Sequence, residues 1–227
     1  MARKLFEEAT EMGRNFAVAY VYLGWTYYYD LWLGSGSSPA DSIRQAFKAA
    51  KTSIALEDSL PDAHCLLSFL YGMRRQHDDS IKEAEEAVTL NPNSALGYVS
   101  LGSALFWSGK TEEAIVALER GVRLDPVPPS IYLAALAMAY RDAGRYEEAI
   151  AVSRKAIIKE PNNVIAYVVL ASTYSMLNRV DEARTAAAEI LRIDPSFSLD
   201  RFAKIRPHID TDNTARFADS LSKAGLK

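Results

Sequence analysis

The sequence predicts an all-α protein in which antiparallel helix pairs are stacked one after another. Prolines recur at steps of 34, 35 and 34 residues, each at the end of a segment with helical periodicity: Pro92, Pro126, Pro161 and Pro195. Alanines keep almost the same step, each directly after two acidic residues: Ala114, Ala149 and Ala183. A fixed period of about 34 residues with helix–turn–helix content is typical of a repeat protein, which grows by adding units rather than by enlarging one core.

Charge and glycine placement support the second helix of each pair. Acidic residues begin these predicted helices, as at Glu112 and Glu113, and basic residues end them, as at Arg123. This order complements the helix dipole. Gly109 and Gly144 fall in the turns between paired helices, where a residue with left-handed backbone ends a helix at little cost.

The first helix of each pair carries an aromatic–leucine–small–aromatic pattern, as in Tyr20-x-x-Leu23-Gly24-x-x-Tyr27. We expect the small residue, here Gly24, to let a neighbouring helix approach closely. Together with the period, this pattern resembles the tetratricopeptide repeat over about residues 1–195. The resemblance implies a right-handed superhelical solenoid of antiparallel helix pairs with a C-terminal helical cap.

The register of the pattern divides the chain. Residues 1–15 correspond to the trailing helix of an incomplete repeat, so we expect the chain to be part of a longer protein. Five repeats are predicted to follow: 16–60, 61–94, 95–129, 130–163 and 164–195. The first contains an insertion at residues 28–39, whose GSGSS segment is predicted to be a flexible loop. Residues 196–227 are predicted to form two capping helices, because a solenoid needs an atypical terminal unit to cover its last apolar face.

Two further segments add a resemblance of their own. They are LGWTYYYDLWLGSG, which begins at Leu23, and DPSFSLDRFAKIRPHID, which begins at Asp194 and is followed by RFADSLSKAGL. They look like the C-terminal repeat region of bacterial adenylate/guanylate-cyclase-type multidomain proteins. This resemblance implies an interaction arm of a signalling protein, without a cyclase catalytic domain in these residues.

Composition limits the function classes. The 227 residues carry a net charge of −3 with an estimated pI of 5.7, which disfavours nucleic acid as a partner. Cys65 is the one cysteine, so an internal disulfide is excluded and a reducing, cytoplasmic location is predicted. The most apolar run, residues 16–33, is short for a membrane span and contains Asp30, so we expect no membrane insertion.

The candidate motifs for chemistry have structural explanations. Residues 104–111, ALFWSGKT, fit a relaxed phosphate-loop pattern, but they follow a predicted helix rather than a strand. We therefore predict no nucleotide site and expect Thr111 to cap the next helix. His64, His77 and His208 lack the spacing of metal ligands, and no activated nucleophile is evident. The sequence predicts a protein that is not an enzyme and has no cofactor or metal.

The first helices of this repeat family line a concave groove, and the register identifies the residues that would face it. These are almost entirely apolar or aromatic: Val21, Trp25, Tyr28, Tyr29, Phe69, Met73, Phe106, Trp107, Met138 and Arg141. A nearly uncharged groove needs something to cover it. Packing between repeats is the alternative explanation for any one of these side chains.

The function predicted from these features is non-catalytic binding of a protein or peptide. The bound element would be an apolar helix or extended segment, with Arg141 orienting a polar group. Two alternatives remain. One is a self-association module, in which the groove or the N-terminal face docks on a second copy. The other is a sensor that binds a small apolar effector.

Overall fold

The computed structural model describes residues 2–13, 15–33, 38–205, 207–208 and 210–226. All regular secondary structure in this described part is helical, which confirms the predicted fold class. The helices are α1 (Ala2–Met12), α2 (Ala17–Leu33), α3 (Pro39–Leu56), α4 (Pro61–Met73), α5 (His77–Leu90), α6 (Ala95–Trp107), α7 (Thr111–Leu124), α8 (Ser130–Asp142), α9 (Tyr146–Lys159), α10 (Val164–Met176), α11 (Val180–Ile193), α12 (Leu199–Ile205) and α13 (Thr211–Lys223).

The helices are distributed over two compact units, Met1–Ala104 and Leu105–Lys227. In the first unit, α2 packs on α3 and α4 packs on α5, while α2 also contacts α4. In the second unit, α8 packs on α9 and α10 packs on α11, while α8 also contacts α10. Each unit therefore contains antiparallel pairs whose first helices lie next to each other, as the repeat pattern predicts.

The periodic prolines mark the ends of second helices. The residue before each proline is the C-cap of its helix: Asn91, Asp125, Glu160 and Asp194. A proline disfavours helical backbone at the residue that precedes it, so the helix ends there.

The turns inside the pairs share one geometry. Gly109 and Gly144 have φ angles of 85° and 75°, as predicted for left-handed helix ends. Arg75 and Asn178 hold the equivalent positions in their turns with φ angles of 59° and 57°. In all four turns the next residue donates its N–H to the carbonyl oxygen five residues earlier, at 2.8–3.0 Å. This bond is the one that defines a Schellman helix end.

Small residues allow the helices to approach closely. The periodic alanines, Ala114, Ala149 and Ala183, are fully or almost fully buried, as is Ala46 of α3. At Gly24, an added Cβ atom would lie 2.5 Å from Cδ2 of the buried Leu66. The structure therefore confirms that Gly24 is needed for close contact between α2 and α4.

One local expectation was wrong, and part of another lies outside the described residues. Residues 28–33 of the predicted insertion extend α2, and Tyr28 and Leu31 pack into the core of the first unit. Lys110 is the N-cap of α7, so Thr111 lies inside the helix instead of capping it. Of the predicted flexible loop at residues 34–38, residues 34–37 lie outside the described residues, and Ser38 is the N-cap of α3.

Candidate functional site

An aromatic cluster forms where α2 and α4 lie side by side in the first unit. Helix α2 contributes Trp25, Tyr28 and Tyr29, which share one face because they are three and four residues apart. Helix α4 contributes Phe69. The ring centroid of Trp25 lies 5.4 Å from Tyr28, 6.0 Å from Tyr29 and 5.7 Å from Phe69. Met73, one turn after Phe69, packs against the same core. We call these five residues the aromatic patch.

The exposed fraction of the side chains in the aromatic patch increases from the core to the surface. Trp25 and Tyr28 are 9% and 7% exposed, and Val21 beneath them is fully enclosed. Phe69 and Met73 are partly buried, and Tyr29 is 53% exposed. Trp25 and Tyr28 are thus a floor on which the rings of Tyr29 and Phe69 rest, and Met73 packs against the same core. Of the six groove residues predicted in this unit, the structure brings five together and places Val21 in the core.

The geometry of the aromatic patch suits recognition of apolar side chains. Trp25 meets Tyr28 at 89° and Phe69 at 65°, which are edge-to-face arrangements that aromatic pairs prefer. Because the floor holds Tyr29 in place, its exposed ring loses little conformational freedom when another surface covers it. The aromatic patch can therefore bury apolar area at low entropic cost.

Two predicted groove residues of the second unit, Phe106 and Arg141, contact the chain's own C-terminal segment. Phe106 is 4% exposed, and its ring centroid lies 5.0 Å from that of His208 in an edge-to-face contact. The guanidinium carbon of Arg141 lies 3.9 Å from the ring centroid of Phe217. Trp107 and Met138 are partly buried.

Arg141 is a buried charge engaged within the second unit. Its Nη2 lies 2.6 Å from Oδ1 of Asp142, whose side chain is 1% exposed, and its Nη1 donates to Ser172 Oγ at 3.3 Å. Burial lowers the pKa of Arg141, and the carboxylate of Asp142 opposes that shift. Its predicted role in orienting a partner's polar group stays a prediction.

Other residues that could carry out chemistry are buried or engaged in hydrogen bonds within the fold. Cys65 is fully buried, and burial raises the pKa of its thiol far above the ordinary value, so it is not activated as a nucleophile. The ring nitrogens of His64 face Glu83 Oε2 at 2.7 Å and the Asp58 carbonyl oxygen at 3.0 Å. Across the described ranges, no cluster of three or more His, Cys, Asp or Glu side chains could hold a metal ion. Within those ranges, no helix is long and apolar enough to cross a membrane.

Sequence reasoning missed the part that the tail plays in the second unit. Phe217 and Leu221 are four residues apart and so share one face of α13, which is the available signal that the helix docks somewhere. The surface on which it docks depends on the shapes of α8 and α10, and these cannot be read from the tail's own sequence.

Comparisons with known proteins agree with the geometry. Residues 70–129 and 140–203 match sequence models of the tetratricopeptide repeat. Small glutamine-rich tetratricopeptide repeat-containing protein 2 of Mycosarcoma maydis is 31% identical over 93 residues, which are 41% of this chain and 26% of that protein. TPR repeat-containing protein YpiA of Bacillus subtilis is 29% identical over 124 residues, which are 54% of this chain and 28% of that protein. The chain thus spans about a quarter of the length of the curated relatives it matches.

A solved structure shares the fold. A chain of the APC/C hetero-tetramer Cut9–Hcn1 matches with a TM-score of 0.74 at 18% identity, over 98% of this chain and 39% of that one. At this identity the likeness concerns the fold alone.

Proposed function

We propose that this chain, a tetratricopeptide-repeat protein, is a non-catalytic scaffold that binds an apolar helix or extended segment of a partner protein on its aromatic patch. Tetratricopeptide-repeat proteins are generally scaffolds for protein interactions. The net charge of −3 favours a protein partner over nucleic acid.

The observation that carries this proposal is the position of Tyr29. Its ring is 53% exposed although it packs against both Trp25 and Tyr28. An exposed aromatic ring held by two buried ones resembles the anchors that dominate binding energies at interfaces, where tyrosine and tryptophan are enriched. Phe69 and Met73 extend the apolar surface beside it.

The cellular context is a further part of the proposal. We expect the chain to belong to a bacterial signalling protein in the cytoplasm. The support is the similarity of its first-repeat and tail segments to the repeat region of cyclase-type multidomain proteins, together with the single, buried cysteine.

Self-association is a second candidate, favoured by apolar residues near the N-terminus. Leu5 is 58% exposed, Met12 is 91% exposed and Phe16 is 53% exposed. A second copy could cover these side chains, because single repeats leave apolar faces that a neighbouring unit normally buries. Light scattering over a range of protein concentrations tests this candidate. Self-association would be supported if the average mass of the wild-type protein rises with concentration and that of Leu5→Ser does not. Binding of a small apolar effector, the third possibility, would appear in a thermal-shift screen.

A displayed peptide library tests the main proposal before any partner has been identified. The full chain is immobilised, peptides are selected for binding to it alone, and the selected peptides are then assayed for binding to Tyr29→Ala. We expect these peptides to be rich in aromatic and aliphatic residues and to bind the variant more weakly. Selection of peptides that bind the variant equally well, or of polar peptides alone, would contradict the proposal.

A further inference from the structure

The segment after the last helix pair returns to the first helices of the second unit. Helix α13 packs against α10, and α12 packs against α13. Phe217 of α13 covers the guanidinium of Arg141 on α8, and His208, just before α13, meets Phe106 at the end of α6. The segment therefore contacts α8, α10 and the end of α6 that lies in this unit, rather than only the last pair.

Helix α13 presents a regular apolar stripe to this surface. Its buried positions follow the spacing i, i+3, i+4 and i+7, which places them on one face of a helix: Phe217, Ser220, Leu221 and Ala224. Leu226, just after the helix, is 2% exposed. The apolar side chains among them share one core cluster with Val168 and Ala171 of α10: Phe217, Leu221, Ala224 and Leu226. The surface formed by α8 and α10 thus accommodates an amphipathic helix.

The local stabilisation of α13 comes largely from its own residues. Asp210 is the N-cap and accepts a hydrogen bond from the N–H of Asn213 at 2.9 Å. Lys223 pairs with Asp219 at 2.6 Å along the helix. Gly225, with a φ angle of 99°, ends the helix, and Leu226 donates its N–H to the Leu221 carbonyl oxygen. A segment with its own caps can undock as a unit without breaking the hydrogen bonds of the helix pairs.

We propose that α13 is an internal ligand of the α8–α10 surface, and that an amphipathic helix of a partner protein binds there by displacing it. The partner helix would carry an aromatic residue to cover Arg141, followed four positions later by a leucine, as in Phe217 and Leu221. This surface is separate from the aromatic patch, so the inference stands without the function proposed above.

Displacement has a thermodynamic consequence that can be measured. A helix added in trans binds the fraction of molecules in which α13 is undocked, so its apparent affinity is reduced by that fraction. A change that weakens docking of α13 should therefore strengthen binding in trans. The probe is a fluorescein-labelled peptide of residues 207–227, and its binding to the unlabelled full chain is followed by fluorescence anisotropy.

We expect the peptide to bind Phe217→Ala at least tenfold more tightly than it binds the wild-type chain. The matched control is Phe47→Ala, which removes a phenylalanine that is 6% exposed in the first unit and packs against Tyr71. This control should leave the affinity within about twofold of wild type. Equal affinity for Phe217→Ala and wild type would overturn the proposal. An equal increase in peptide affinity for Phe47→Ala would also overturn it, because binding would then reflect general destabilisation.

A milder variant serves if Phe217→Ala does not fold. Phe217→Leu keeps an apolar side chain in the site but removes the ring above Arg141. We therefore expect the peptide to bind this variant about threefold more tightly than the wild-type chain. No gain in this folded variant would overturn the proposal. Hydrogen exchange on the wild-type chain gives an independent readout. The amides of α13 should exchange at least tenfold faster than those of α10, whereas equal rates in both helices would mean that α13 opens only with the whole unit.

Discussion

The guanidinium carbon of Arg141 lies 3.9 Å from the ring centroid of Phe217, and both residues are buried. They are far apart in the sequence, one in a first helix of the repeats and the other in the tail. The ring covers a cation whose other partners are Asp142 and Ser172. A desolvated cation over an aromatic face contributes roughly 2 kcal/mol or more, so this contact couples the tail to the repeats.

The first prediction concerns the charge of Arg141. Replacing Arg141 with Met should lower the free energy of unfolding by about 3–5 kcal/mol, because the buried carboxylate of Asp142 loses its guanidinium partner. Chemical denaturation measures this loss. The matched control is Arg145→Met, since Arg145 pairs with Glu148 at the surface and its removal should matter far less. Similar losses in the two variants would contradict the assignment of a buried pair.

The second prediction concerns the close contact of α2 with α4. Gly24→Ala places a Cβ atom 2.5 Å from Leu66 Cδ2, and Leu66 is fully buried, so the leucine must move within a packed core. Such overpacking should cost about 1–3 kcal/mol. Gly13→Ala is the control, because its nearest contact, Phe16 Cβ, would lie at an ordinary 3.4 Å. Thermal melts of both variants measure this loss of stability. A Gly24→Ala variant as stable as the wild type would contradict the prediction.

The third prediction uses the turn in which Arg75 has a φ angle of 59°. A residue with a Cβ atom is strained in this region and glycine is not, so Arg75→Gly should raise the free energy of unfolding by about 0.5–1 kcal/mol. Asn178→Gly should raise the free energy of unfolding by less, since asparagine tolerates a φ of 57° better than arginine does. Destabilisation by Arg75→Gly in urea melts would show that the arginine side chain contributes more than the strain costs.

The fourth prediction concerns pH and His64. Its hydrogen bond to Glu83 is the main reason that the pKa of His64 is raised, and its contact with the Asp58 carbonyl oxygen adds to the shift, while burial opposes it. A raised folded-state pKa gives a contribution to stability that is complete below the unfolded value of about 6.5 and is lost as pH rises through the folded value. The free energy of unfolding should therefore fall more between about pH 6 and pH 9 in the wild type than in His64→Gln.

His77 supplies a control of opposite sign. Burial lowers the pKa of His77, so its contribution to stability should be lost as pH falls through and below about 6.5. His77→Gln should therefore change the acid side of the stability profile and leave the alkaline side as in the wild type. A His64→Gln profile parallel to that of the wild type would show that His64 does not carry the predicted dependence.

The sequence predicts the helix pairs well because their signals are local. Each periodic proline ends a helix at the residue before it, and Gly109 and Gly144 adopt the left-handed backbone that glycine favours. Arg75 shows the limit of this reasoning. Its turn has the same hydrogen bond as the glycine turns, because the packed helices on both sides impose the geometry regardless of the residue.

The candidate site is harder to predict because burial depends on neighbouring surfaces. Tyr28 and Tyr29 are adjacent identical residues, yet the first is 7% exposed and the second 53%. Their difference arises from contacts with α4, which the sequence of α2 does not contain. Phe106 was likewise predicted from its register to face the groove, but whether His208 covers it depends on where the tail docks.

The most direct measurement of the central claim is the affinity of a library-selected peptide for two tyrosine variants of α2. Tyr22 is the control for Tyr29, because it is 42% exposed but lies about two helical turns earlier on α2, where it stacks on Phe6. We predict that Tyr29→Ala weakens binding by about 2 kcal/mol or more, roughly 30-fold, and leaves folding stability nearly unchanged. Tyr22→Ala should bind as the wild type does. If Tyr29→Ala binds with wild-type affinity, or if Tyr22→Ala loses as much, the aromatic patch is not the binding surface.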